Sequence, residues 1–420
     1  QKIDWLRSCI TAAGADMMLL SSLDEIAWLL NVRGSDIEYN PLVISYLLVS
    51  ETSVKWFLLK DRDRGRLAEV MASRGVETLP YGELELSLGE TSGATLLVDK
   101  STLSSSVDAL LNRFCDDVKY APSPVQLRKA VKNPTEIASQ RKAYIEDGLA
   151  VEKFLYWLEC EAAENVTEWE ASERLTALRA EIHGYRGNSF ENISAYGKNA
   201  ALPHYSTPRE GSAQIERHGL YLVDSGGQYL TGTTDITRTV PMGECTPLEM
   251  EDYTLVLKGM IDLSMAQFPE GTAGCQIDAA ARLPLWKAGR NFGHGTGHGI
   301  GFWLCVHEGP QSIRQNFLSQ PLLPGMITSN EPGLYREGFH GIRHENVVLC
   351  REVQETEFGK FLGFETLTKC HIDTSAVIVE MLTDQERAWL NDYNAEVYET
   401  LSPSLDEDIC AWLREKTRAI

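Results

Sequence analysis

The chain has 420 residues, 43% of them hydrophobic and 24% charged, a composition and length that suit two or three globular domains with a sizeable core. Its 39 Lys+Arg against 60 Asp+Glu leave a net charge of −21, which argues against nucleic acid or an anionic membrane surface as partner, since both need cationic patches. The nine cysteines are scattered without a CxxC or CxxxC pair, so neither a zinc finger nor a disulfide scaffold is supported and a reducing compartment is expected.

The first ~120 residues alternate between strand-like and helix-like patterns. Met17–Leu20, Leu42–Val49, Val54–Leu59 and Thr95–Val98 read as strands. Ser22-Leu23-Asp24-Glu25 reads as the capped start of a short helix, and 64–73 and 104–114 read as amphipathic helices. This alternation predicts an α/β domain. Pro122 and Pro124 break either regular element and place a boundary there. Asn133-Pro134-Thr135-Glu136 then starts a helix that should run through Trp157 and Leu158. Further helices are expected around 167–181 and 247–268, within and before a long strand-and-turn region from about Asn192 to Val379. Thr383-Asp384-Gln385-Glu386 and Ser404-Leu405-Asp406-Glu407 match the capping-box pattern of two closing helices. No apolar run reaches the ~18 residues of a membrane span. No leader peptide is visible, and the absence of an initiator Met leads us to expect that something upstream has been cut away.

Three segments carry chemistry. In the first, the apolar strand Tyr221-Leu222-Val223 runs into Asp224, turns through Gly226-Gly227, and returns past Asp235 as Ile236-Thr237-Arg238-Thr239. A carboxylate buried on an apolar strand is costly unless paired or metal-bound; the plainer alternative is a hairpin whose aspartates merely form turns. The second is Gly293-His294-Gly295-Thr296-Gly297-His298-Gly299. Its alternate glycines make a helix improbable. In an extended chain His294, Thr296 and His298 share a face, with glycines that let another backbone or a ligand approach. The third sets Glu331 before Pro332-Gly333-Leu334-Tyr335, and Arg343-His344-Glu345 before the strand Val347–Leu349. Two acidic hairpins flanking a His-bearing strand would face one another across a site. Four carboxylates and one imidazole suit two divalent ions of the Mn type better than a structural zinc, and such a pair can activate a hydroxide. His204, His294 and His307 are candidates for binding substrate or steadying an oxyanion.

These motifs, with His307-Glu308-Gly309-Pro310 and the segment Leu23 to Asp36, resemble the Xaa-Pro aminopeptidases (aminopeptidase P), cytosolic three-domain type, among the pita-bread metallopeptidases. The resemblance spans almost the whole chain. It implies a creatinase/prolidase-like N-terminal α/β domain over residues 1–124, which is the family's non-catalytic middle domain, and an α+β pita-bread catalytic domain over 125–420, with the family's first domain missing. It implies that Asp224 is a terminal ligand of one metal and that Asp235 and Glu345 bridge two. His298 and Glu331 complete the second, and Glu331 acts as general base on the bridging hydroxide. His204 and His307 would bind substrate and steady the tetrahedral intermediate, His294 would share the pocket and handle protons, and Arg343 and Tyr335 would support Asp224. The implied cofactors are two divalent ions, usually manganese. The implied reaction releases the N-terminal residue from peptides with proline in second position, in a cytoplasmic homodimer. The rival readings are a prolidase-type dipeptidase and a non-catalytic pita-bread interaction protein; the five filled ligand positions speak against the latter.

Overall fold

The structure is a computed structural model that describes residues 1–59, 64–91 and 93–420. It divides into two compact units, Gln1–Lys129 and Ala130–Ile420. The division falls a little beyond Pro124, because Pro124 opens a helix, Pro124–Ala130. The fixed φ and missing N–H of proline are tolerated in a first helical turn, so the expectation that this pair of prolines breaks regular structure fails at Pro124.

In the first unit Met17–Leu20 lies inside a six-stranded sheet, antiparallel to Ser45–Ser50 and parallel to Thr95–Val98. Val54–Leu58 and Glu77–Pro80 extend one side and Asp117–Tyr120 the other. The outer pairs are parallel and therefore need crossovers. The helices Arg64–Ser73 and Ser105–Phe114 supply them, and Leu19, Leu48, Phe57, Leu96, Leu88 and Leu111 pack into the core between. Leu42–Ile44 stays outside the strand expected there. The expected cap at Ser22 is also absent: its hydroxyl donates to Asp24 at 2.5 Å instead of receiving a backbone N–H.

The second unit opens on Pro134–Tyr156, whose capping box is complete. Asn133 Oδ1 accepts from the Glu136 N–H at 2.9 Å, and Glu136 Oε2 accepts from the Asn133 N–H at 2.9 Å. The α-helix stops at Tyr156 and continues as a π-turn over Trp157–Glu161. Thr167, Thr246 and Thr383 cap Glu168–Ala180, Pro247–Ser264 and Asp384–Leu401 in the same way. Ser404 does not; it sits in a 3₁₀ turn, and the last helix, Glu407–Lys416, starts after Asp406. Four of the described helices were not expected from the sequence: Lys2–Ala12, Leu84–Gly89, Pro124–Ala130 and, in this unit, Gly274–Lys287. Gly274–Lys287 contains Pro284, a residue that ordinarily ends a helical pattern. The helices cover two sheets. A three-stranded one has the order Ile236–Pro241, Leu220–Ser225, Ile193–Tyr196. A six-stranded one runs Phe268–Pro269, Gly359–Thr366, Asn346–Thr356, Ile327–Asn330, Gly297–Gly299, Glu308–Ile313. Among the described residues no helix is long and apolar enough to cross a membrane.

Candidate active site

Strand pairing brings the acidic residues together. Leu220–Ser225 and Ile236–Pro241 are antiparallel with Asp224 opposite Thr237, so Asp224 and Asp235 meet at one end of the ladder. Ile327–Asn330 and Asn346–Thr356 are antiparallel with Asn330 opposite Asn346, which places Glu331 and Glu345 side by side at the end of that ladder. The two hairpins are stitched to each other. The Glu345 N–H donates to the Thr237 carbonyl at 3.1 Å, and the Thr237 hydroxyl donates to Glu345 Oε2 at 2.8 Å. The His298 strand slots in beside them, and the Glu331 N–H donates to the Thr296 carbonyl at 2.8 Å.

The glycines of that strand have the reason proposed for them. A Cβ on Gly297 would collide with the Ser329 carbonyl, and one on Gly299 with the Glu308 carbonyl; only a bare backbone fits between these neighbours. Thr296 departs from expectation. It is fully buried and donates to Asp278 at 2.6 Å, so His294 and His298 line the pocket without it.

His298 Nδ1 lies 3.0 Å from the Gly299 carbonyl, which leaves Nε2 facing Glu331 at 3.3 Å and Asp235 at 3.4 Å. Donor atoms of Asp235, His298 and Glu345 all lie within 4.8 Å of one another. This is the arrangement in which a second bond on one ring nitrogen aims the other at a metal. Burial followed by the charges of neighbouring carboxylates pushes Glu345 well above the usual carboxyl range and Glu331 up to about 7, and raises Asp235. Burial disfavours a charged His298, yet its bond to Asp235 and the charge of Glu331 carry it to about 9. Asp224 Oδ1 and Glu345 Oε1 are buried with no hydrogen-bond partner. Orphaned carboxylate oxygens facing one another are a destabilising arrangement on their own and a fitting one for divalent cations. The residues present therefore fit a metal centre.

A pH dependence follows. Glu331 rises from 4.5 to about 7 on folding, so its contribution to stability is fully present below 4.5 and is lost as pH rises through about 7. Divalent ions take the place of the protons. In chelator-treated protein, the rise in Tm on adding Mn²⁺ is expected to grow as pH is raised through about 7. A rise that shrinks over that range would show that the ions bind elsewhere.

Behind Asp224 stands a chain of bonds. Arg343 Nη2 donates to Asp224 at 2.7 Å and Nη1 to the Tyr335 hydroxyl at 2.8 Å. The Tyr335 hydroxyl is 2.8 Å from His294 Nε2, and His294 Nδ1 is 2.7 Å from the Gly295 carbonyl. Burial pushes the His294 pKa down to about 4. A neutral ring donates from Nδ1 and accepts the Tyr335 proton at Nε2, so both its nitrogens are engaged within the protein. His307 packs at a tilt of 59° against His298 with ring centroids 4.2 Å apart, and His204 is exposed on the rim.

A cavity of about 320 Å³ unites the site. Every residue predicted for the site lines it except Glu345 and Tyr335, which lie behind Asp235 and Arg343. Phe190, Ile193, Pro203, Ser312 and Arg314 also line it and were not foreseen. They sit in no motif, although the strand pairing of Ser312 with His298 would have followed from placing Glu308–Ile313 beside the glycine ladder. A second buried group, Glu152, Cys370 and His371, is closed by its own bonds, with the His371 N–H and Nδ1 on Glu152 at 2.6 and 2.8 Å.

Fold and donor set together define a metallopeptidase. Residues 138–352 match the metallopeptidase family M24, 1–136 the creatinase/prolidase N-terminal domain, and 360–420 the C-terminal region of peptidase M24. The chain belongs to the M24 metallopeptidase family. It is 39% identical over its whole length to the probable Xaa-Pro aminopeptidase P of Aspergillus niger, covering 71% of that protein, and 38% identical over 99% of its length to aminopeptidase P2 of Arabidopsis thaliana, covering 64%. It thus spans about two thirds of the length of these curated relatives. Its fold superimposes with a TM-score of 0.95 and 34% identity on the X-prolyl aminopeptidase of Caenorhabditis elegans, described as a cytosolic enzyme with a di-nuclear active site, over 100% of this chain and 70% of that one. The Xaa-Pro dipeptidase of Bacillus anthracis is more distant, at a TM-score of 0.70 and 26% identity over 89% of this chain and 98% of that one. The α/β and pita-bread architecture expected from the sequence is the one found.

Proposed function

We propose that the chain hydrolyses the bond between an N-terminal residue and a penultimate proline. The observation that carries this reading is the convergence of Asp224, Asp235, Glu331, Glu345 and His298, with buried carboxylate oxygens lacking partners, in a chain so similar to Xaa-Pro aminopeptidases. Those five residues would hold two divalent ions, with Asp235 and Glu345 at the centre of the donor cluster. Four carboxylates and a single imidazole favour a hard ion such as Mn²⁺. Bound there, the ions supply electrophilic activation of the scissile carbonyl and of the attacking water.

The chain's own groups do the rest. Glu331, whose carboxyl sits near 7 in the metal-free site, takes a proton from the attacking water and passes it towards the leaving proline nitrogen. Neutral His307 donates to the oxygen on which negative charge develops, and His204 on the rim steadies the peptide. His294 sits in the same pocket, held by the Gly295 carbonyl and the Tyr335 hydroxyl, so it would handle protons only through that hydroxyl, with Tyr335 and Arg343 fixing Asp224. Residues 1–124 would serve as the non-catalytic domain and 125–420 as the catalytic one. In this reading the protein works in the cytoplasm as a homodimer; the first point accords with the description of the C. elegans neighbour as cytosolic.

The test is selectivity. Purified protein with added Mn²⁺ is expected to cleave a tripeptide with Pro second and to spare its Ala counterpart. Equal cleavage of both, or action on dipeptides alone, would overturn the proposal in favour of a general or prolidase-type peptidase.

A further inference from the structure

Away from the carboxylate cluster, one fully buried acid gathers two arginines and a histidine. Asp252, on Pro247–Ser264, has no exposed side-chain surface. Its Oδ1 forms an ion pair with Arg290 Nε at 3.0 Å and accepts from Arg336 Nη2 at 3.1 Å, and its Oδ2 accepts from Arg336 Nε and lies 2.8 Å from His340 Nε2. Arg290 also makes a two-point bond to Glu251 at 2.9 and 2.8 Å.

The other ends of these partners point to a purpose. Arg336 and His340 face each other across the hairpin formed by Gly333–Arg336 and His340–Arg343. The next pair along is Tyr335 with Gly341, and the last is Gly333 with Arg343. Successive residues of a strand point to opposite faces. Arg336 therefore reaches Asp252 on one face while Tyr335 reaches Arg343 and His294 on the other. Arg290 sits four residues before His294 in the segment that leads into the glycine ladder. Asp252 thus grips the two chain segments that supply the two partners of the Tyr335–His294 hydrogen bond.

We propose that Asp252 is a positioning residue: by clamping Arg336 and His340 on one segment and Arg290 on the other, it sets the Tyr335–His294 bond and through it the Arg343–Asp224 arm of the metal centre. The proposal rests on the reading of the site given above. A buried carboxylate with three partners is stiff, because moving any one of them leaves charge unpaired in a low-dielectric interior. Partners that orient a metal ligand from behind are worth about 10–100-fold in affinity or activity.

The experiment uses Arg336→Gln and Arg290→Gln, each of which removes one arm at a partly exposed side chain, alongside Asp252→Asn and Tyr335→Phe. The first readout needs no substrate. In metal-free protein labelled on histidine nitrogen, with His294→Gln used for assignment, the His294 ring signals of both single-arm variants should move towards their position in Tyr335→Phe. The second is kinetic. Each arm variant should lower kcat about tenfold with KM for the peptide nearly unchanged, and should lower it no further in the Tyr335→Phe background. His294 signals that stay put, or losses in kcat that multiply with that of Tyr335→Phe, would overturn the proposal, and so would a lower Tm with unaltered kcat. Should Asp252→Asn fail to fold, the two arm variants still decide it. If the wild-type protein shows no preference for proline, the proposed activity fails while the His294 signals continue to test the clamp.

Discussion

In metal-free protein, Glu345→Gln is expected to raise stability at neutral pH by about 1–2 kcal/mol, while in the metal-loaded enzyme it should lower kcat/KM about a thousandfold or more, about 4 kcal/mol of transition-state stabilisation. The opposite signs come from one cause. Glu345 is 1% exposed and faces Asp235, Glu331 and Asp224. Burial first and those charges second raise its pKa well above 4.5, so ionisation costs folding energy once the pH exceeds the unfolded value. Glutamine keeps an acceptor for the Thr237 hydroxyl and removes the charge. The gain should vanish below pH 4.5, where the carboxyl is protonated in both states. With divalent ions present the order should reverse, because a carboxylate proposed to hold them is gone. Melting curves with and without chelator check both halves, and a metal-free variant less stable than wild type would contradict the electrostatic account.

Arg238→Met is expected to be the most damaging single change to the fold near the site, costing at least about 4 kcal/mol. The guanidinium is 1% exposed. It donates to the His371 carbonyl at 2.9 Å, to the Thr237 and Glu345 carbonyls at 3.1 and 2.6 Å, and to Asn346 Oδ1, the Cys370 carbonyl and the Tyr393 hydroxyl at 2.9, 2.7 and 2.9 Å. Methionine fills part of the volume but strands these acceptors in a dry interior. Arg238→Lys keeps the charge but lacks the planar fork, so it should recover only part of the loss. Denaturant titration reads both; a shift worth less than about 1 kcal/mol for Arg238→Met would show that the acceptors find other partners.

That contrast shows what a sequence reveals here. The candidate ligands stood out because metal chemistry restricts such groups to a few residue types, and because Gly, Pro and acidic residues mark the ends of the hairpins that present them. The glycine ladder was legible for the same reason, since packing around Gly297 and Gly299 tolerates no side chain. Arg238 stood in plain view in the Thr-rich strand, yet its role depends on carbonyls more than a hundred residues away. Asp252 and its three partners lie on separate elements with no shared motif. The helix starts at Asn133 and Thr383 could be read locally because all the atoms of their caps lie within one turn. The similar pattern at Ser404 was not realised, because the chain there turns as a 3₁₀ segment before the helix starts. Helix Gly274–Lys287 was hidden by Pro284, where tertiary packing overrides the local penalty.

The central claim is a two-ion centre built by two acidic hairpins and His298. Native mass spectrometry of protein loaded with Mn²⁺ and desalted tests it most directly, by counting ions per chain. Two ions are expected in the wild type and fewer than two in Glu345→Gln. One ion per wild-type chain in an active preparation, or two retained in the variant, would contradict it.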